Sequence, residues 1–252
     1  MTSSAGDPAL LASAREHLLE ELTQLGVEHL APLSAVEVAP ATSPAPEPAA
    51  AVPTAAPAEA ATETLEQIAA DVAACRACEL CDSRTRPVPG DGSPSARVVF
   101  VGEAPGAEED LQGLPFVGPA GQLLTKIIEA GMGLRRSEVY IANILKCRPP
   151  GNRDPQPQEK AACTPFLQRQ LKSLQPELII CLGRHAANYL LGSDQSMGAM
   201  RGKLHESALG IPILATYHPA YLLRTPTAKV DCWQDIQIAM KHLGLSRPGA
   251  AH

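Results

Sequence analysis

Four short apolar runs, each followed by a stretch with helical patterning, constrain the fold of this chain more than any other feature. They are Arg97–Gly102 (RVVFVG), Glu138–Asn143 (EVYIAN), Glu177–Leu182 (ELIICL) and Ile211–Tyr217 (IPILATY). Runs this short, apolar and rich in β-branched residues read as buried strands. Helices are expected over Gln122–Ala130, Gln158–Leu174, Arg184–Leu191 and Val230–Leu243. Strands alternating with helices predict an α/β fold, with a mostly parallel sheet covered on both faces. Such sheets bind ligands beyond the carboxyl ends of their strands. Gly-, Pro- and charge-rich segments sit at those ends: GEAPG (102–106), KCRPPGNRDP (146–155), Gly183-Arg184 and HPAYLLR (218–224). One such segment is an ordinary turn. Several on a single edge predict a site.

The first quarter of the chain is different. Residues 8–29 repeat Leu11, Leu18, Leu22 and Leu25 at helical spacing, an amphipathic pattern suited to docking on a protein partner. Residues 31–60 hold 12 Ala and 7 Pro and no Lys or Arg, which cannot build a core and read as an extended linker. The expected organisation is a helix in 1–30, a linker in 31–61, a globular domain in 62–245 and a tail in 246–252. The formal charge of −6 is unevenly spread. Residues 1–75 carry 11 acidic residues and one basic residue, Arg15, for −10; residues 76–252 carry 20 basic and 16 acidic, for +4. An acidic arm before a mildly basic domain is compatible with nucleic acid. No apolar run is long enough to cross a bilayer as a helix. Residues 1–10 lack the basic start and apolar run of a secretion signal, so a cytoplasmic protein is expected, with no membrane partner.

Seven cysteines in a chain of this kind favour metal binding over a disulfide framework. Cys75 and Cys78 form a C-x-x-C chelating loop, Cys147 follows the second strand, and Cys163 lies 16 residues further on. Four thiolates can hold zinc or an iron–sulfur cluster, and spacing does not separate the two. Cys81 is a further thiol close to the first pair, ranked below these four. Cys181 in a strand and Cys232 at a helix start read as inert buried thiols.

The motifs CRAC (75–78), GEAPGAEED (102–110), GLPFVGPAGQLL (113–124), YIANILKCRPPGNRDP (140–155), Cys163 and HPAYLLR (218–224) resemble those of the family 4 uracil-DNA glycosylases. The resemblance spans about residues 65–245. It implies a three-layer α/β/α fold around a short four-stranded parallel sheet. It implies a [4Fe–4S] cluster on Cys75, Cys78, Cys147 and Cys163. It also implies hydrolysis of the bond between uracil and deoxyribose, in single- or double-stranded DNA, as the first step of base-excision repair. A cytoplasmic enzyme associated with the nucleoid follows.

A glycosylase must flip its base from the stack, read it and break the C–N bond. Asn143 ends the second strand, and an amide offers both a donor and an acceptor to the pairing edge of uracil. Phe116 supplies a flat face for stacking on the base. His218 is placed to donate to O2 of the departing uracil anion, and a neutral imidazole suffices for that. The attacking water is less well specified. Better-known uracil glycosylases have an Asp beside the Pro of their first motif (GQDPYH), where this chain has Ala104. Glu103 and Glu109 are the candidate bases, Asn152 is a candidate to orient Glu103, and the backbone of Ala104–Ala107 is placed to hold the water. Leu222 or Leu223 would wedge into the base stack, with Arg224 on a phosphate.

Other readings leave residues unused. A non-catalytic iron–sulfur module could dispense with Asn143 and His218. A nucleotide-binding enzyme would need G-x-G-x-x-G or G-x-x-x-x-G-K-[ST], and neither occurs. A related branch that traps uracil on a histidine carries that His in a basic loop after the second strand. The corresponding stretch here, RPPGNRDP, has none.

Overall fold

The computed structural model describes residues 63–246. The expected amphipathic helix, the Ala/Pro linker and all but Ser246 of the expected tail lie outside the described residues. Helix α1 (Leu65–Ala74) opens on Thr64, whose side chain accepts from the Gln67 amide while the Gln67 side chain accepts from the Thr64 amide. This capping box satisfies two amides that a helix start otherwise leaves unpaired. Arg169 pairs with both Glu63 and Asp71, tying α1 to the long helix α5 (Pro157–Leu174). A short α2 (Leu80–Ser83) follows α1.

The four apolar runs form the centre of one sheet: β2 (Val98–Gly102), β3 (Tyr140–Asn143), β4 (Leu178–Leu182) and β6 (Ile213–Thr216). All are mutually parallel, in spatial order β3-β2-β4-β6. Each edge is closed by a two-residue antiparallel strand, β1 (Asp91–Gly92) beside β3 and β5 (Leu204–His205) beside β6. The result is a six-stranded mixed sheet whose central four strands are the expected parallel ones.

Every residue of those four strands is buried, because helices cover both faces. Val99, Val101, Ile179, Cys181, Ile213 and Ala215 face one side and pack with Leu167 and Leu171 of α5. Ala186 and Ala187 of α6 (Arg184–Leu191) join them. The alternate residues Val98, Phe100, Leu178, Ile180 and Leu214 face the other. There they meet Leu124 of α4 (Pro119–Lys126), and Ile236 and Met240 of α9 (Lys229–Leu243). Period-two alternation thus divides one run of apolar residues between two cores. The remaining helices are short: α3 (Ala107–Gln112), α7 (Met197–Met200) and α8 (Pro219–Arg224). Among the described residues no helix is long and apolar enough to cross a membrane.

Candidate active site

A cleft of about 470 Å³ opens beyond the carboxyl ends of β2, β3 and β6. Its walls include Glu103, Ala104, Glu109, Phe116, Asn143, Asn152, His218 and Arg224. The structure therefore brings together residues that lie up to 121 positions apart in sequence.

Asn143 ends β3 with 2% of its surface exposed, and its Oδ1 is buried without a hydrogen-bond partner among the described residues. A buried polar atom without a partner costs about 1–3 kcal/mol, so this amide is held ready for something absent from the protein itself. Its backbone is fixed from behind, where the buried ammonium of Lys146 donates to the Asn143 carbonyl at 2.8 Å and to Gln170 Oε1 at 2.7 Å.

Phe116 is buried, sits at φ 51° and stacks obliquely beside the His218 ring, with centroids 5.5 Å apart. Its approach demands glycine nearby. A Cβ on Gly102 would fall 2.7 Å from Phe116 Cζ and 2.3 Å from Asn143 Oδ1, and one on Gly121 would strike the Phe116 carbonyl.

His218 is the N-cap of α8, and its Nδ1 accepts from the Ala220 amide at 3.1 Å. An accepting Nδ1 places the proton of the neutral ring on Nε2. Burial, with help from the Arg224 charge, lowers the pKa of His218 to about 4. The ring is thus neutral near pH 7, with one N–H to give.

The two candidate carboxylates have different surroundings. Glu109 accepts from the amides of Gly106 (3.1 Å), Val117 (2.9 Å) and Gly118 (3.1 Å). Both oxygens are occupied in bracing the two loops that carry Ala104 and Phe116. Of the two roles open to Glu109 in the sequence, bracing the loop by its amides is the one these bonds display. Glu103 is the freer group: its Oε1 is buried with no hydrogen-bond partner among the described residues, and burial raises its pKa against the opposing charge of His185. The expected Asn152–Glu103 contact is corrected, because Asn152 Oδ1 instead accepts from Arg148 Nε at 2.7 Å. Glu103 faces His185 Nδ1 at 3.8 Å, and Asp154 lies on the far edge of that ring.

The adjacent leucines of α8 divide. Leu222 is 1% exposed and packs in the core with Leu124, so the expectation that it could wedge into DNA fails. Leu223 is 45% exposed, and Arg224 lies beside it at the cleft. Tyr221, which the sequence reading passed over, also lines the cleft and stacks on Tyr217 at 5.1 Å.

A second pocket is lined by Cys75, Cys78, Cys81, Cys147 and Cys163, with Val72, Leu80 and Phe166 around them. Among the described residues no carboxylate or imidazole lines it. Arg84 donates to Cys147 Sγ at 3.2 Å and the Lys146 amide to Cys163 Sγ at 3.1 Å. An all-thiol lining with N–H groups aimed at sulfur fits a thiolate-held metal centre. Cys81 Sγ is turned toward Asp82 Oδ1 at 3.4 Å. Cys181 and Cys232 are buried elsewhere, as expected of inert thiols.

The profile of the uracil DNA glycosylase superfamily matches residues 89–237. The chain is 42% identical over 192 residues to the type-4 uracil-DNA glycosylase of Archaeoglobus fulgidus, covering 73% of this chain and 96% of that protein. It is 46% identical over 180 residues to the type-4 enzyme of Saccharolobus solfataricus, covering 69% and 83%. For the type-4 enzyme of Thermotoga maritima the identity is 45% over 161 residues, covering 64% and 83%. The chain belongs to the type-4 uracil-DNA glycosylases. Besides Tyr221, sequence reasoning gave no place to His185 and Asp154, which lie on one side of Glu103. Neither ends a strand, and each is distinguished only by a neighbour on another element, Glu103 for His185 and His185 for Asp154.

Proposed function

We propose that the cleft removes uracil from DNA by hydrolysing its N-glycosidic bond and leaves the strand intact, opening base-excision repair. The observation that carries this reading is the unpartnered, buried Oδ1 of Asn143 in one cleft with the Phe116 face and the His218 ring. Uracil flipped from the stack lies on Phe116. The Asn143 amide bonds to N3–H and O4, and the fixed Nε2–H of His218 meets O2. Glu103 takes a proton from water held near the Ala104 backbone. The water oxygen adds to C1′ as the C1′–N1 bond breaks, and its electron pair leaves with uracil. Negative charge on O2 grows only then, so His218 acts on the transition state rather than on binding. Arg224 contacts a phosphate and Leu223 fills the vacated stack. The substrate is uracil-containing DNA, single- or double-stranded.

Cys75, Cys78, Cys147 and Cys163 would hold a [4Fe–4S] cluster, with Cys81 outside the set. When bound, such a cluster supplies a rigid covalent staple between the segment bearing Cys75 and the loop after β3. Arg84 and the Lys146 amide, which donate to Cys147 and Cys163 Sγ, would stabilise those thiolates as its ligands. The N-terminal arm is dispensable for base release and tunes DNA affinity or docks a protein partner, and the enzyme works in the cytoplasm on the nucleoid.

Asn143→Asp tests the reading. The substituted carboxylate loses the amide donor and repels O4, so single-turnover release of uracil from an oligonucleotide falls by orders of magnitude. Unchanged release from a folded variant refutes the role of Asn143.

A further inference from the structure

Three groups outside the base pocket converge on one side of Glu103. His185, the second residue of α6, places Nδ1 3.8 Å from Glu103 Oε1. Its Nε2 lies 4.0 Å from Asp154 Oδ2, in the loop after β3. One oxygen or nitrogen atom from each of the three residues lies within 4.8 Å of the others. Glu103 Oε1 is buried and has no hydrogen-bond partner among the described residues. The distance to Nδ1 exceeds a hydrogen bond by about 1 Å, which a small side-chain rotation closes.

We propose that His185 is a positioning residue for Glu103, tethering Oε1 through Nδ1–H so that Oε2 is left to take the proton of the attacking water. Asp154 Oδ2 faces Nε2 on the far edge of the ring, and Nε2 donates to it only when the imidazole carries both protons. The proposal rests on Glu103 as the water-activating group in the proposed function. A carboxylate with both oxygens free can rotate about its terminal bond, and errors of about 1 Å in a reacting group cost up to about a hundredfold in rate. Glu109 illustrates the opposite arrangement, in which both oxygens are bonded and none is left to work. The charged groups that face Glu103 are His185, Asp154, Lys160 and Arg184. Two of these are permanent cations near neutral pH, so positive charge is already present where a metal ion would otherwise be recruited.

The experiment measures single-turnover uracil release by the full chain from pH 5 to 8.5, alongside affinity for uncleavable DNA. His185→Ala is expected to slow release about tenfold with affinity unchanged. Its acidic limb should move to higher pH, because a group that favours the Glu103 anion is gone. Asp154→Asn should move the limb the other way, since a like charge is removed. His185→Asn, whose amide nitrogen falls near the place of Nδ1, should recover most of the rate, and His185→Gln should not. Release within twofold of the parent in His185→Ala, or Asn performing no better than Gln, overturns the proposal. So does a rate in the parent, but not in His185→Ala, that responds to manganese or to a chelator, since the three residues would then hold a cation. Glu103→Gln separates the two levels. If it keeps the parental rate, the reading of Glu103 itself fails. If it loses the rate while His185→Ala keeps it, only the positioning role fails.

Discussion

Replacing His218 with alanine removes one N–H donor from the cleft and one partly buried titratable group from the fold, and the two losses are measured separately. Loss of a donor aimed at charge that develops in the transition state costs about 2.7–4 kcal/mol, or about 10²–10³ in the chemical step. DNA affinity should change little, because the uracil O2 of the ground state carries only partial charge. The effect on stability has a defined sign. The His218 pKa in the folded protein is about 4 against an ordinary 6.5. Below pH 6.5 the unfolded chain takes a proton that the folded one refuses, so this residue costs stability as pH falls toward 4. The full cost is about 3 kcal/mol at about 1.4 kcal/mol per pH unit, a ceiling because the ring lines an open cleft. His218→Ala should therefore lose stability less steeply than the parent between pH 6.5 and 4. Above pH 6.5 no such difference in slope remains. Single-turnover kinetics at pH 7.5 and denaturant unfolding across the pH series check both parts. A rate loss below tenfold would refute the donor role. A parental rate that falls with a pKa near 6.5 as pH rises would show that a cationic imidazole does the work. Parallel stability curves would refute the partly buried, neutral ring.

Gly102→Ala puts a methyl group 2.3 Å from Asn143 Oδ1 and 2.7 Å from Phe116 Cζ. It should cost about 1–3 kcal/mol in thermal unfolding and more than tenfold in uracil release, by displacing the base-reading amide. The purified protein should be brown, with about four irons and four sulfides per chain. Oxidative removal of the iron, or Cys163→Ser, should abolish the visible absorbance and lower the melting temperature, and one zinc with no iron would overturn the cluster. Leu222→Ala should destabilise the fold by about 2–5 kcal/mol as a core truncation. Leu223→Ala should leave the melting temperature alone and weaken binding to duplex DNA, which calorimetry and a fluorescence titration distinguish.

The central sheet was legible because each parallel strand is buried on both faces and therefore written as an uninterrupted apolar run. The edge strands were not: Asp91–Gly92 and Leu204–His205 are two residues long, and Asp91 and Gly92 are exposed on both faces. Asn143, Phe116 and His218 were readable because each sits in an unusual motif at a strand end or in the loop after one. Asn152 was misread because its partner, Arg148, lies four residues away and no pattern announces that bond. Glu109 was ambiguous in sequence, since a carboxylate three residues into a helix can brace the preceding amide as readily as act on substrate. Leu222 and Leu223 are neighbours on a helix and point about 100° apart, so only one could face solvent. Without the register of α8 nothing in the sequence said which. His185 was invisible, because its importance is a relation to Glu103 across 82 residues.

The sheet order has a consequence for how the enzyme comes into being. His218 follows β6, the last of the parallel strands, and α9 must then close the face on which Phe116 rests. A chain growing from its N-terminus would emit the five cysteines of the thiol pocket and Asn143 first, and His218 last. Strand pairings that join distant segments are slow to form, and β2 must receive β4 across 80 positions before β6 has anything to dock on. On the proposed roles, a chain that has not yet placed β6 lacks His218 as well as part of the core behind Phe116. Recovery of base release after denaturation would then report the arrival of the final strand.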